Sequence, residues 1–125
     1  MKQKIETDKS PKAIGPYSQA IINSNMIFAS GQIHLTPNGK LLDGTIEEQT
    51  HQVMKNLKNV LEKAGVTFNE VVKTTIYVTN MSDFGKINVI YSSYMAEPYP
   101  ARETVGIKEL PLGAKLEISM IAIKA

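Results

Sequence analysis

Arg102 and Glu117 are the residues of this sequence best suited to chemistry on a small ligand. Arg102 follows Pro98-Tyr99-Pro100, and the two prolines hold this approach in extended backbone, because each fixes its own φ and restricts the residue before it. Glu117 lies between Leu116 and Ile118, just after the turn-forming run Leu110-Pro111-Leu112-Gly113. A guanidinium and a carboxylate, each anchored on a sheet, predict a site that faces one small polar ligand.

Two helices are predicted among the elements that position these residues. Thr45 and Glu48 have the spacing of a capping box, and Gly65 supplies the left-handed residue that ends a helix. A second helix begins at a cap formed by residues 80–82 and ends before Pro98. Their apolar residues recur at helical spacing: Ile46, Val53, Leu57, Val60, Leu61 and Ala64 in the first, and Phe84, Ile87, Ile90, Tyr91, Tyr94 and Met95 in the second.

The strands are predicted from apolar and β-branched runs. They cover residues 2–6, 19–23, 26–33, 71–79 and 104–107, and a final strand carries Glu117. Ser24-Asn25 joins the second and third runs as a hairpin. Because side chains alternate along a strand, we expect one face of the third strand to carry Met26, Phe28 and Ser30. The other face is expected to carry Ile27, Ala29 and Gly31.

This order of elements predicts a single domain over residues 1–125 of the α+β class, in which both helices cover one face of a single mixed sheet. The other face retains apolar residues that the helices cannot cover. An apolar face of that size is rarely left in water. We therefore expect self-association through a surface that includes Met26, Phe28, Ile121 and Ile123.

Composition excludes several classes of protein. The chain has 125 residues, a formal net charge of +2 and no cysteine. The charge is too small and too dispersed for a nucleic-acid-binding stripe, and thiolate catalysis and Cys-ligated metal are excluded. His34 and His51 lack a second ligand at metal spacing and are interpreted as surface or structural residues. No apolar run approaches a membrane span and the N-terminus lacks a signal-peptide core, so we expect a cytoplasmic location with no membrane partner.

Four segments resemble the RidA (YjgF-like) family of reactive intermediate deaminases. They are Ile14-Gly15-Pro16-Tyr17-Ser18-Gln19-Ala20, Ser30-Gly31-Gln32-Ile33, the helix pattern Gln49-Thr50-x-Gln52-Val53-x-x-Asn56-Leu57, and Pro100-Ala101-Arg102 through Leu116-Glu117-Ile118. The resemblance covers nearly the whole chain. It implies a chorismate-mutase-like fold of the bacillus type and a homotrimer whose sheets form a central barrel, with three clefts between subunits. It also implies hydrolysis of 2-imino acids such as 2-iminobutanoate and 2-iminopropanoate to 2-keto acids and ammonia, with no metal or organic cofactor.

The residue chemistry agrees with this reaction. Arg102 suits capture of the substrate carboxylate, because a planar guanidinium holds it through two parallel hydrogen bonds. Glu117 in a partly apolar cleft is the candidate to position water or act as general acid or base, since desolvation raises a carboxyl pKa. The backbone amides of Gly31 and Thr104 are candidate donors to the substrate. The resemblance adds side chains that line the family's cleft: Tyr17, Ser30 and Asn88.

Each assignment has a structural alternative. Arg102 is also suited to an ion pair between subunits, and Glu117 to a structural carboxylate on its strand. Tyr17 is alternatively a core aromatic residue, and Asn88 alternatively bonds to backbone.

Two positions depart from the family pattern. Glu103 directly follows the arginine, where many relatives have a small residue, and alternation predicts that its side chain faces away from Arg102. Ser119 replaces a second acid found in many relatives. Two other function classes stay open: an endoribonuclease or translation inhibitor, and a non-catalytic trimer that binds small carboxylates.

Overall fold

The computed structural model describes all 125 residues and contains one six-stranded mixed sheet and two α-helices. The elements are β1 (Lys2–Ile5), β2 (Ala20–Asn23), β3 (Met26–Gln32), α1 (Ile46–Lys63), β4 (Val71–Val78), α2 (Phe84–Tyr94), β5 (Ala101–Gly106) and β6 (Leu116–Ile123). The sheet order is β1-β2-β3-β6-β4-β5, in which only the β4–β5 pair is parallel. This confirms the predicted α+β class.

Helix α1 begins at its predicted cap, whereas α2 begins at Phe84, beyond the cap predicted at residues 80–82, and has no side-chain cap of its own. The Thr45 hydroxyl accepts the Glu48 amide at 3.1 Å, and the Glu48 carboxylate accepts the Thr45 amide at 2.9 Å, which satisfies two otherwise free groups. Gly65, with φ of 87°, follows the end of α1. The Asn80 side chain caps a short 3₁₀ turn that leads into α2. Neither helix is long and apolar enough to cross a membrane.

The core lies between the two helices and one face of the sheet, which we call the helix-covered face. Alternate residues of β4 and β6 point into it, because successive side chains of a strand face opposite sides. Each fully buried Leu or Ile contributes roughly 1.5–3 kcal/mol relative to an exposed one. The strand residues buried here are Thr74, Ile76, Val78, Leu116, Ile118, Met120 and Ala122, and the α1 residues include Val53, Leu57, Val60 and Leu61.

The opposite face of the sheet, which we call the open face, has no covering element. Met26, Phe28, Val105 and Ile123 remain 37%, 42%, 39% and 40% exposed. Apolar side chains spread over one sheet face are typical of a protein–protein contact. Self-association through this face therefore stays a prediction.

A β-bulge in β3 corrects the prediction for Gly31. The register of β3 against β6 shifts between Ala29 and Gln32, so Gln32 joins Ile27 and Ala29 on the buried side. A Cβ built on Gly31 points toward Glu117, which is on the open face. The prediction that Gly31 shares a face with Ile27 is wrong, because the bulge inserts one residue into the alternation.

The start of β5 also differs from the prediction. Arg102 and Glu103 pair in parallel with Thr74 and Thr75 of β4. The predicted start of this strand at Thr104 is therefore wrong, and Arg102 is held by the sheet itself rather than by an extended arm before it.

Candidate active site

The guanidinium of Arg102 lies over α2 on the helix-covered side of β5. Its Cζ is 5.3 Å from the ring centroid of Phe84 and 5.1 Å from that of Tyr91, which is within range of a cation–π attraction. Its Nη1 donates a hydrogen bond of 2.7 Å to Oδ1 of Asn88. Two rings and one amide thus fix the guanidinium from the helix side.

Tyr91 is itself anchored beneath Arg102. Its hydroxyl donates to Oγ1 of Thr74 at 3.0 Å in the core, and Thr74 is the residue of β4 that pairs with Arg102. Burial raises the pKa of Tyr91 above its usual value, with the hydrogen bond to Thr74 and the charge of Arg102 acting in the opposite direction. The phenol is therefore neutral at physiological pH and serves as a support for the arginine.

Arg102 keeps its charge available. The two ion pairs of the chain join Lys4 to Glu6 and Lys73 to Glu103, so no carboxylate of the chain neutralises it. A guanidinium has five N–H donors, and only one is used within the chain. A hollow of about 440 Å³ lies beside it, which we call the arginine hollow; its lining residues are Asn88, Tyr91, Ser92, Tyr99, Pro100 and Arg102.

The prediction for Asn88 is changed by this geometry. The Asn88 side chain accepts a hydrogen bond from Arg102 and makes none to the backbone. The backbone carbonyl of Asn88 accepts the Ser92 hydroxyl at 2.7 Å. Asn88 is thus a partner of the arginine that also lines the hollow.

Glu117 lies on the open face in a different hollow. Its side chain is half-buried, and burial raises the pKa of this carboxyl above its usual value. The carboxyl makes no hydrogen bond or ion pair within the chain, so desolvation is unopposed. The hollow around it, which we call the glutamate hollow, has a volume of about 570 Å³ and includes Tyr17, Ser30, Gly31 and Glu117 in its lining.

Ser30 and Tyr17 line the glutamate hollow in different ways. The Ser30 hydroxyl donates to the carbonyl of Ser18 at 2.6 Å, and its amide donates to the carbonyl of Gln19 at 2.9 Å. The bulge is therefore fastened to the segment that carries Tyr17. The side chain of Tyr17 is 55% exposed, so its interpretation as a core aromatic residue is wrong.

Glu103 faces away from Arg102, as alternation predicted. Its carboxylate accepts the Thr75 hydroxyl at 2.7 Å and lies 3.1 Å from Nζ of Lys73. These contacts hold the pKa of Glu103 below its usual value, the hydrogen bond from Thr75 most strongly. Glu103 therefore does not compete for the guanidinium within the chain. Thr104 is on the same side of β5 as Arg102, and the role of its amide stays a prediction.

The two histidines are structural. His34 is buried, with Nδ1 2.8 Å from the carbonyl of Leu42 and Nε2 accepting the amide of Lys115 at 2.9 Å. Nδ1 of His51 is 2.7 Å from the hydroxyl of Tyr94. No group of three or more His, Cys, Asp or Glu side chains in the chain is arranged to hold a metal ion.

A single chain does not bring Arg102 and Glu117 together. Arg102 faces the helix-covered side at the edge strand, whereas Glu117 faces the open side of β6, and the two hollows share no lining residue. The sequence predicts only a packing role for Phe84 and Tyr91. Their spacing with Asn88 places all three on one stripe of α2, and this was the available signal for a surface built to receive Arg102.

Solved structures match this fold, and curated proteins match this sequence, over nearly the whole chain. A structure of TdcF from E. coli with bound serine has a TM-score of 0.92 and 33% identity, covering 98% of this chain and 99% of that one. A RutC family protein of Pyrococcus horikoshii is 46% identical over 99% of both chains. The 2-iminobutanoate/2-iminopropanoate deaminase of Mus musculus is 45% identical over 96% of this chain and 90% of its own.

The fold and its two hollows thus define an α+β protein with one mixed sheet and two covering helices. A family model described as Endoribonuclease L-PSP matches residues 7–124. The chain belongs to this family, the RidA (YjgF-like) family, whose relatives include proteins named as imine deaminases.

Proposed function

We propose that this protein hydrolyses reactive 2-imino acids, such as 2-iminobutanoate and 2-iminopropanoate, to 2-keto acids and ammonia. The observation that carries the proposal is the Arg102 guanidinium, which is fixed by Asn88, Phe84 and Tyr91, has no acidic partner in the chain and borders a hollow. The deaminase names of relatives at 41–45% identity point to the same reaction.

The Arg102 guanidinium recognises the carboxylate of the substrate. Its remaining N–H groups are coplanar and spaced to donate two parallel bonds to one carboxylate. Because Asn88 and the two rings already restrict the side chain, little conformational entropy is lost on binding. The carboxylate thereby orients the adjacent C=N bond.

Glu117 assists the chemistry at that bond. The oxygen of water bonds to the imine carbon, the C=N π electrons move to nitrogen, and transfer of one water proton to nitrogen gives a neutral tetrahedral carbinolamine. The hydroxyl proton is then transferred to nitrogen, the C–N bond breaks with its electron pair leaving on nitrogen, and the C=O bond forms, which gives the keto acid and ammonia. A carboxyl with a raised pKa exchanges protons near neutral pH, and positioned acid–base groups typically contribute 10²–10⁴-fold. In this proposal four further residues contact the substrate: Gly31 and Thr104 through their backbone amides, and Tyr17 and Ser30 through their side chains.

The complete site requires two copies of the chain. Arg102 and Glu117 are in separate hollows, so a site that uses both combines the arginine hollow of one copy with the glutamate hollow of another. A closed ring repeats one such contact between successive copies. We therefore propose a homotrimer with three equivalent clefts, whose open faces pack together as a central barrel and cover Phe28 and Ile123.

An endoribonuclease is the second candidate, favoured by the description of the family model. The charge of the chain argues against this function, because a net charge of +2 supplies little attraction for an RNA backbone. A non-catalytic carboxylate-binding trimer is the third. It shares the need for Arg102 but predicts that Glu117→Gln leaves function unchanged.

The test generates 2-iminobutanoate in place from threonine with a dehydratase and follows its decay with and without this protein. We expect faster decay at micromolar protein, loss of the effect in Arg102→Ala, and a large reduction in Glu117→Gln. Unchanged decay with the wild-type protein contradicts the deaminase. Cleavage of a labelled RNA that survives Arg102→Ala supports the endoribonuclease instead.

A further inference from the structure

Gly31 faces the side chain of Glu117 at unusually short range. A Cβ added to Gly31 would lie 2.5 Å from Oε2, 2.6 Å from Cδ and 2.8 Å from Cγ of Glu117. All three distances are shorter than a nonbonded contact of a methyl carbon with carbon or oxygen tolerates. The outer part of the Glu117 side chain therefore occupies the space that any other residue at position 31 would fill.

The backbone does not by itself require glycine at this position. Gly31 is absent from the glycines with positive φ, which include Gly15, Gly44 and Gly65. A residue with an ordinary φ accepts any L side chain without backbone strain. The reason for glycine at 31 is thus the carboxyl that lies over it.

The strand cannot easily move away from an added methyl group. Ser30, the preceding residue, is fastened to the carbonyls of Ser18 and Gln19 through its hydroxyl and its amide. The side chain of Gln19 is in turn buried and bonded to the backbone of residues 7–11. The Glu117 carboxyl, which makes no hydrogen bond or ion pair within the chain, is therefore the group that must shift.

We propose that Gly31 is a positioning residue for Glu117. Because it has no side chain, the Glu117 carboxyl lies against the β3 backbone inside the glutamate hollow rather than outward in water. Its consequence for catalysis rests on the proposed function, whereas the placement of the carboxyl does not.

Within one chain, few other charges lie near the Glu117 carboxyl. Tyr77 of β4 is its cross-strand neighbour, and β3 presents only the backbone of Gly31 at this point. Lys12 and Tyr17 from the segment before β2 line the same hollow. None of their side chains makes an ion pair or hydrogen bond with the Glu117 carboxyl, so displacement of the carboxyl into water is the main change that Gly31→Ala introduces.

The experiment measures the pKa of the Glu117 side-chain carboxyl by NMR titration in the full-length wild-type protein and in Gly31→Ala. Gly85→Ala is the matched control, because Gly85 has no heavy atom within 4 Å of an added Cβ and has no positive φ. We expect the Glu117 pKa to fall in Gly31→Ala toward that of a solvated glutamate and to stay unchanged in Gly85→Ala. An unchanged pKa in Gly31→Ala overturns the proposal.

A thermodynamic cycle keeps the test valid if Gly31→Ala folds poorly. The loss in free energy of unfolding caused by Gly31→Ala is measured with denaturant in the wild-type and Glu117→Ala backgrounds. We expect the cost to be largely lost when Glu117 is truncated, and an equal cost in both backgrounds overturns the proposal.

The activity arm separates this proposal from the proposed function. Where the wild-type protein accelerates imine decay, we expect Gly31→Ala to lower kcat by about tenfold or more. This is less than the full 10²–10⁴-fold contribution of a positioned acid–base group, because the carboxyl is displaced and not removed. We expect Gly31→Ala to add nothing further to Glu117→Gln. A kcat equal to that of the wild type overturns the catalytic role of Gly31. If the wild-type protein is inactive, the proposed function fails. The pKa measurement and the thermodynamic cycle still decide whether Gly31 positions the Glu117 carboxyl.

Discussion

Replacing Asn88 by aspartate places a carboxylate where the structure has an amide oxygen, 2.7 Å from Nη1 of Arg102. The two side chains have nearly the same shape, so the change adds charge without a change in packing. The new carboxylate pairs with the guanidinium and competes with the carboxylate of any ligand. Asn88→Asp is therefore expected to weaken carboxylate binding more than Asn88→Ala, which removes a support but leaves the charge free.

The magnitude follows from the exposure of the pair. Two unit charges at 4 Å attract by about 1 kcal/mol in water and about 4 kcal/mol near a protein surface, before screening. Because the Arg102–Asn88 contact is exposed, we take the lower part of this range, about 1–2 kcal/mol, which corresponds to roughly 5–30-fold weaker binding. For Asn88→Ala we expect about 1 kcal/mol or less from one hydrogen bond.

The assay is calorimetric titration with 2-oxobutanoate, a stable keto acid that carries the same α-carboxylate. Ser93→Asp is the charge control, because Ser93 is on the same helix, bonds only the carbonyl of Ile90 and does not line the arginine hollow. We expect less than a twofold effect from it at physiological salt. Binding to Asn88→Asp that equals the wild type would refute carboxylate recognition by Arg102.

Three further predictions concern stability. The pKa of Glu117 is raised in the folded protein, so its stabilising contribution is present below the pKa of the unfolded chain and is lost as pH rises through the pKa of the folded protein. Glu117→Gln should therefore have a larger free energy of unfolding than the wild type in urea titrations at pH 8, and a smaller advantage at pH 4. Burial lowers the pKa of His34, so its effect on stability has the opposite pH dependence. The free energy of unfolding should fall as pH drops below about 6.5, because the histidine of the unfolded chain then takes up a proton. This pH dependence should be smaller in His34→Gln. Tyr91→Phe removes the bond to Thr74 and should cost about 1 kcal/mol in thermal unfolding, with KM little changed because the ring beneath Arg102 remains.

The parts of the fold that sequence predicts well are those fixed by local chemistry. The capping box of Thr45 and Glu48 and the left-handed Gly65 specify the ends of α1 from neighbouring residues alone. The alternation of β4 and β6 likewise identifies the buried side of each strand. Such signals need no knowledge of which strands pair.

The features that sequence reasoning missed depend on pairing between distant segments. The bulge at residues 30–31 is defined by the pairing of β3 with β6, so no local sequence pattern predicts it. Arg102 belongs to a strand because β4 offers a parallel edge, and its contact with Phe84 and Tyr91 depends on how α2 lies beside that edge. Sequence identified Arg102 and Glu117 as candidates, but their separation on two faces of the sheet follows from topology.

The separation of Arg102 and Glu117 makes a mixing experiment the most direct test of a site shared between copies of the chain. Arg102→Ala and Glu117→Gln, each inactive or nearly so alone, are co-refolded in equal amounts so that their subunits exchange. If each cleft takes its arginine from one copy and its glutamate from another, about a quarter of the clefts in random mixtures regain both residues, and imine decay should recover to about that fraction of the wild-type rate. A mixture with no more activity than the separate variants, although mass spectrometry shows mixed oligomers, would contradict a site shared between copies.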